Sequence, residues 1–239
     1  YQQPMRNLRM IAMIFPRPIM YMVRADSDIE RVEDLRGRTV VIEFRAIAAM
    51  GQLHTGILAT GGLTPDDVNP VVVAGLPESM DMLSQGRAEA VPTGINTALA
   101  LQLNASIPGG IRYITMGANE PRLGEIMPGA APVTIAPSEG EPGIFEPIRV
   151  AGVTDLLNTS VAMSEDRVYA ITRTIMESWE ELRRDYSQIA DTTIEQAVPS
   201  DIVHPYHAGA IRYYREAGHW TPAHQESQDR LLEVIGASE

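Results

Sequence analysis

Between Arg24 and Met116 the apolar positions switch repeatedly between a strand-like and a helix-like period. Thr39–Ile42 is a β-branched run bounded by Gly37 and Glu43, the pattern of a buried strand. Ala46–Ala59 then spaces Ala, Met, Leu and Ile at helical intervals until Gly61 and Gly62 stop it. Thr64-Pro-Asp-Asp is a turn with N-cap character, and Pro70–Val73 is a second strand. Ser79–Gln85 reads as a short helix ended by Gly86. Ala88–Val91 follows as a strand, Ile95–Ala105 as a helix and Gly110–Met116 as a further strand. Alternation at this spacing predicts a parallel or mostly parallel sheet flanked by helices.

The rest of the chain is patterned differently. Gly117–Pro147 is rich in Pro, Gly and Ala and predicts a helix near Pro121–Met127, then an irregular surface excursion. Arg149–Ala162 reads as one long extended segment. Glu165–Asp185 is an amphipathic helix with Val168, Ile171, Ile175, Trp179 and Leu182 on one stripe. A last helix covers about Glu226–Ile235. The extended segments Ile19–Arg24 and Val150–Ser160 bracket the alternating block. That layout fits a two-lobed α/β protein whose chain crosses a hinge on two strands. Lobe one would comprise 1–23 with 152–239, and lobe two 24–151.

Composition narrows the chemistry. The 239 residues are 44% hydrophobic and 21% charged, ordinary globular values, and long enough for two cores. The net charge of −12 opposes nucleic acid and anionic lipid as partners. No lysine occurs, so all 19 cations are arginines, which removes Schiff-base chemistry and the P-loop lysine. The absence of cysteine removes thiol nucleophiles and cysteine-bound metal. No apolar run reaches the roughly 20 residues of a membrane span, so the chain is not expected to insert into a membrane. Neither an initiator methionine nor a signal peptide opens the sequence, which leads us to expect residues upstream of Tyr1. No Gly-x-Ser-x-Gly, Gly-x-Gly-x-x-Gly or His-Glu-x-x-His signature is present, and no cofactor or catalytic residue is implied.

Ligands of open α/β sheets sit beyond the carboxyl ends of strands, where helix N-termini point. Two such junctions are Phe44-Arg45-Ala46 and Thr93-Gly94-Ile95-Asn96. Free backbone N–H groups there would favour an anion. Arg45 could grip a carboxylate as a bidentate fork, or pair with Glu43, or face water. Thr93 and Asn96 could touch a ligand or cap their own helix. Phe15 and Tyr21, beside the first crossing strand, could wall a cleft or pack a core, and Asp155 on the second crossing strand shares that ambiguity. His204 and His207 are three apart around Pro205, too poor a set for a metal site; Tyr213 and Tyr214 read as packing.

The most specific stretch is Ile202–Gly218, with His207, Ala208-Gly209-Ala210, Tyr213-Tyr214, Glu216 and Gly218 in succession. It resembles the C-terminal signature of TAXI-type solute receptors that serve TRAP transporters. Asp34-Leu35-Arg36-Gly37-Arg38-Thr39-Val40, Gly62-Leu63-Thr64-Pro65-Asp66-Asp67, Gly86-Arg87-Ala88-Glu89-Ala90 and Val168-Tyr169-Ala170-Ile171-Thr172 are similar to further motifs of that family, in the same order. The resemblance runs from about Leu8 to Gly218. It implies an extracytoplasmic, periplasmic-binding-protein-like type II receptor. Such a receptor closes on a small anionic or zwitterionic solute, an organic acid or amino acid, and delivers it to the membrane subunits of a TRAP transporter. It needs no cofactor. Three departures accompany it. Phe44-Arg45-Ala46-Ile47-Ala48 stands where relatives have a hydroxyl-rich glycine loop, and Ala208 replaces a proline. The family's first β-α-β-α portion of lobe one has no counterpart before Tyr1, so lobe one is expected to be incomplete. Two other classes remain open: an effector-sensing domain of a bacterial regulator, which a helix-turn-helix would mark, and an enzyme on a related fold, which turnover would mark.

Overall fold

The computed structural model describes residues 5–236 apart from 48, 96, 139–140, 187–188 and 191. The chain divides into a central unit, Arg17–Val153, and a terminal unit, Tyr1–Pro16 with Thr154–Glu239. Strands β1 (Leu8–Arg24) and β7 (Ile148–Ser160) each run through a division.

In the central unit, β2 (Thr39–Phe44) and β3 (Asn69–Val73) pair in parallel, joined by α1 (Ala49–Thr60). Helix α2 (Leu76–Ser84) leads on to β4 (Val91–Gly94), and α3 (Ala98–Ser106) to β5 (Ile111–Tyr113). Then come α4 (Pro121–Ile126) and β6 (Ala131–Ile135) before β7. The alternation of the sequence is therefore present, but the mostly parallel sheet it predicted is not. Among the described residues, the parallel pairings are β2–β3 and the single bridges Val40–Ala90, Arg31–Thr115 and, in the terminal unit, Met10–Tyr206. The larger sheet runs β4-β1-β7-β6, with β5 also on β1, and β1–β4, β1–β5 and β6–β7 are antiparallel. The reason is topological. β1 enters from outside the alternating block and lies against β4 in the opposite sense, Ile19 facing Gly94 and Met22 facing Val91.

Strand β6 lies in the segment expected to be irregular. Two of its residues are exposed and none is fully buried, so it leaves little periodic signal. The helix expected over Glu165–Asp185 is two: α5 (Glu165–Glu177) and α6 (Trp179–Asp185), separated at Ser178 with ψ near 4°. Trp179 is turned inward there, and its Nε1 donates to the Thr192 carbonyl at 2.9 Å. The terminal unit is completed by α7 (Ile194–Ala197), α8 (Ala208–Glu216) and α9 (Pro222–Ile235).

Each unit has its own core. Met20, Tyr21, Met22, Ile57 and Leu58 are fully buried in the central one, and Met10, Val168, Ala210 and Tyr214 in the terminal one. The hydroxyl of Tyr214 donates to the Ile11 carbonyl at 2.7 Å, tying α8 to β1. Gly209 explains the small-residue run of the signature. A Cβ there would collide with the Glu165 carbonyl oxygen and approach the Tyr169 nitrogen at 2.7 Å, so α5 and α8 pack backbone to backbone.

Two glycine substitutions should move stability in opposite directions. Gly209→Ala forces backbone apart and is expected to cost about 1–3 kcal/mol or more. Gly51→Ala lies within α1, where the nearest atom to a new Cβ is Glu43 Cγ at 3.8 Å, and should stabilise by about 0.5–1 kcal/mol. Urea unfolding of both variants measures the two signs.

Candidate functional site

Parallel strands place their carboxyl ends together. From the Val40–Ala90 bridge, β2 ends at Phe44 and β4 at Gly94, while β3 ends at Val73 beside Phe44. The loops leading to α1, α2 and α3 therefore begin along one edge of the central unit. Crossing strand β1 arrives at the same edge, since Ile95 N–H donates to the Pro18 carbonyl at 3.0 Å.

The N–H groups expected to be free are largely spent. Arg45 N donates to the Val73 carbonyl at 2.9 Å, Ala46 N to that of Ala74 at 3.1 Å, and Ile47 N to that of Phe44 at 3.0 Å. Helix α1 starts three residues later than expected, because these bonds continue the strand pairing past β3. For α2, a Glu78 carboxylate oxygen accepts from Ala74 N at 2.6 Å. For α3 the N-cap is Thr97, whose Oγ1 accepts from Ala100 N at 3.3 Å, a role sequence reasoning had left to Thr93 or Asn96. The Thr-x-x-Ala spacing ahead of an apolar run could have singled out Thr97. Asn96 lies outside the described residues.

The residues proposed from sequence fall into three groups. Arg45 and Ala46 are exposed at the edge, and the Arg45 guanidinium has no hydrogen bond or ion pair among the described residues. Thr93 is buried, its hydroxyl 3.4 Å from the Gly94 carbonyl, while a side chain on Gly94 would press the Thr97 methyl at 3.1 Å. The Phe44 and Tyr21 side chains point into the core of the central unit, at 3% and 0% exposure, instead of forming an open wall. Phe15 and Asp155 are half-buried, bonded residues of the terminal unit.

Behind the edge lies a buried polar pair missed by sequence reasoning. His54 of α1 stands edge-on to Phe44, ring centroids 5.5 Å apart, and 6.0 Å from Tyr21. Its Nδ1 is 2.8 Å from the Ile42 carbonyl, so that nitrogen carries the proton and Nε2 presents a lone pair. Neither Nε2 nor the Tyr21 hydroxyl has a partner among the described residues. Burial pushes the Tyr21 hydroxyl well up and pulls His54 down to about 4, only partly opposed by the bond to Ile42. A histidine at helical spacing among apolar residues gave no hint of this.

Among the described residues no group of three His, Asp or Glu could hold a metal ion, and no helix is long and apolar enough to cross a membrane. Both nitrogens of His207 serve the backbone: Nδ1 accepts from Gly209 N and Nε2 donates to the Met163 carbonyl, each at 3.1 Å.

These features define a mixed α/β chain of two compact units with an edge of convergent helix starts. By sequence the chain belongs to the NMT1-like family, whose profile matches residues 1–218. Among solved structures it is similar to the alkanesulfonate-binding protein SsuA of Xanthomonas axonopodis pv. citri bound to MOPS, at 17% identity over 95% of this chain and 60% of that one, TM-score 0.42. It is also similar to a mutant of ArgBP from T. maritima, at 17% identity over 77% and 61%, TM-score 0.41. A third is the L-cystine solute receptor of Neisseria gonorrhoeae, at 15% identity over 75% and 56%, TM-score 0.36. The chain thus spans roughly 60% of the length of the structures it matches.

The pH dependence of stability follows from His54. Its pKa is lower folded than unfolded, so the unfolded chain binds the proton more readily between pH 6.5 and about 4. The stabilisation from a neutral His54 is complete above pH 6.5 and is lost as pH falls to about 4, a change on the order of 3 kcal/mol. In His54→Gln that share of the slope between pH 4 and 6.5 should vanish. Denaturant midpoints across this range, with an undiminished slope in the variant, would remove His54 as the cause.

Proposed function

We propose that this chain is the solute-binding part of an uptake receptor with the two-lobed, type II binding-protein architecture. It captures a small carboxylate or amino acid outside the cytoplasm and returns it chemically unchanged. The observation that carries this reading is Arg45, an exposed guanidinium without a partner among the described residues, where the loops into α1, α2 and α3 converge. Such a group is hydrated when empty and can form two parallel N–H···O bonds to a carboxylate. Ala46 beside it leaves room for the ligand, and the end of β4 at Thr93–Gly94 lies along the same edge. Asn96 is kept as a candidate contact. The buried Phe44 and Tyr21 support the site from behind.

The finer assignment, a TAXI-type receptor handing its solute to the membrane subunits of a TRAP transporter, is supported by the ordered motifs from Leu35 to Gly218 and by membership of the NMT1-like family. The net charge of −12 favours a local cationic clamp over a general cationic surface as the means of selecting an anion.

A thermal-shift screen against organic acids and amino acids tests both halves of the proposal. A ligand at about 100 times its Kd should add about 2.7 kcal/mol, raising the midpoint by roughly 5–10 °C. Arg45→Ala should weaken any carboxylate hit at least tenfold, about 1.4 kcal/mol. Binding that survives this substitution unchanged removes Arg45 from the site, and turnover of the hit in place of simple return removes the receptor reading.

A further inference from the structure

The terminal unit contains a cavity of about 510 Å³, well within the usual range of about 300–1,000 Å³ for small-molecule sites. Its lining comes from the start of β1, the turn after β7, helix α9 and the segment from Tyr206 to Glu216. That segment holds the most specific signature of the sequence, which the solute site at Arg45 leaves unexplained.

Arg9 is the charged group at depth. It is 6% exposed, and its Nη1 donates to the carbonyls of Arg6 and Leu8, each at 2.9 Å. Nε and Nη2 make no bond, and no carboxylate pairs with Arg9, among the described residues. A guanidinium withdrawn from water without a counter-charge is costly, and burial lowers its pKa. Other charges on the lining are already engaged. Arg212 pairs with Glu165 and Asp166, Arg215 donates to Gln225, and Glu216 accepts from the Tyr169 hydroxyl. His207 is neutral and used up by its backbone bonds, and the Gln228 amide is closed on the Tyr206 backbone at 2.8 and 3.1 Å. The remaining walls, Met163, Ile211 and Leu232, are apolar.

We propose that this cavity is a second binding site, for a small organic oxyanion with an apolar body, its carboxylate or sulfonate seated on Nε and Nη2 of Arg9. These two N–H groups lie on one edge of the guanidinium and point in parallel, the geometry that matches two oxygens of one headgroup. The apolar walls take the tail. The site is independent of the solute reading, since it uses no residue of the Arg45 edge.

The test titrates the protein with sodium hexanoate and with sodium hexanesulfonate at constant ionic strength, following arginine Nε–H resonances by NMR. The Arg9 resonance, identified by its absence from the Arg9→Met spectrum, should move saturably with either ligand. Inorganic sulfate, which lacks the tail, should bind at least tenfold more weakly. Arg45→Ala should leave the shift of the Arg9 resonance unchanged, whatever it does to binding at the edge of the central unit. Because Arg9→Met also removes the anchors to Arg6 and Leu8, Ala208→Trp is the second variant. It narrows the cavity from an exposed position and should weaken binding at least tenfold with Arg9 intact. No saturable shift of the Arg9 resonance at millimolar ligand, an unchanged Arg9 shift in Ala208→Trp, or loss of the Arg9 shift in Arg45→Ala overturns the proposal. That last outcome would assign the ligand to the edge of the central unit, so failure of this site and of the solute site remain distinguishable.

Discussion

Parallel pairing of β2 with β3, extended by the Val40–Ala90 bridge, is the constraint on which the central unit rests. Parallel neighbours cannot be joined by a tight turn, so each strand must return through a crossover, and these crossovers contain α1 and α2. The carboxyl ends of β2, β3 and β4 then share one edge, and the loops into α1, α2 and α3 begin there. The chain has no choice about where a recognition surface forms once that pairing is made. What it can choose is the chemistry placed in the loops.

Those choices are uneven, and the unevenness defines the site. Helix α3 is capped by Thr97, the approach to α2 is bonded by Glu78, and Glu43 lies beside the first turn of α1. The dipolar attraction for an anion is thus partly answered from within. The strand-like bonds of Arg45 and Ala46 to Val73 and Ala74 use up further donors. A full guanidinium charge with a free fork is worth more to a carboxylate than a partly answered helix end, whose contribution is about 0.3–1 kcal/mol. In the proposed reading selectivity at this edge falls to Arg45, and the same bonds that consume its backbone donor hold its Cα in register with β3.

The fold was legible in the sequence wherever burial imposed a period. β2, β3, α1, α5 and α9 all stand within a few residues of the positions expected from Thr39–Ile42, Pro70–Val73 and the helical stripes. Strand direction was not legible, because periodicity reports burial and says nothing of which neighbour a strand meets. Ile19–Val23 looks like any buried strand, yet its antiparallel register against β4 turned a presumed parallel sheet into a mixed one. β6 and α7 were silent for the opposite reason: one has no fully buried residue and the other is a single turn. At the site, Arg45 and Thr93 could be placed at strand ends from sequence, whereas the backbone bonds of residues 45–47 and the His54–Tyr21 pair depend on contacts distant in the chain.

Two arginines illustrate how the same side chain is held for different tasks. Arg45 is exposed and solvated, so an empty site costs nothing and binding must repay the loss of water. Arg9 is nearly dry, with its charge met only by the carbonyls of Arg6 and Leu8. Two neutral acceptors do not balance a buried cation, and its influence reaches His207, where it adds to burial in lowering the imidazole pKa. An oxyanion arriving at Arg9 would meet a donor pair whose side chain lost most of its water when the chain folded. The interaction is stronger in that low-dielectric setting than at a wet surface, and it requires a headgroup with two oxygens and a tail tolerant of Ile211 and Leu232. A buried cation that lines a cavity and has no carboxylate partner among the described residues is the arrangement expected of a site that folding prepares in advance of its ligand.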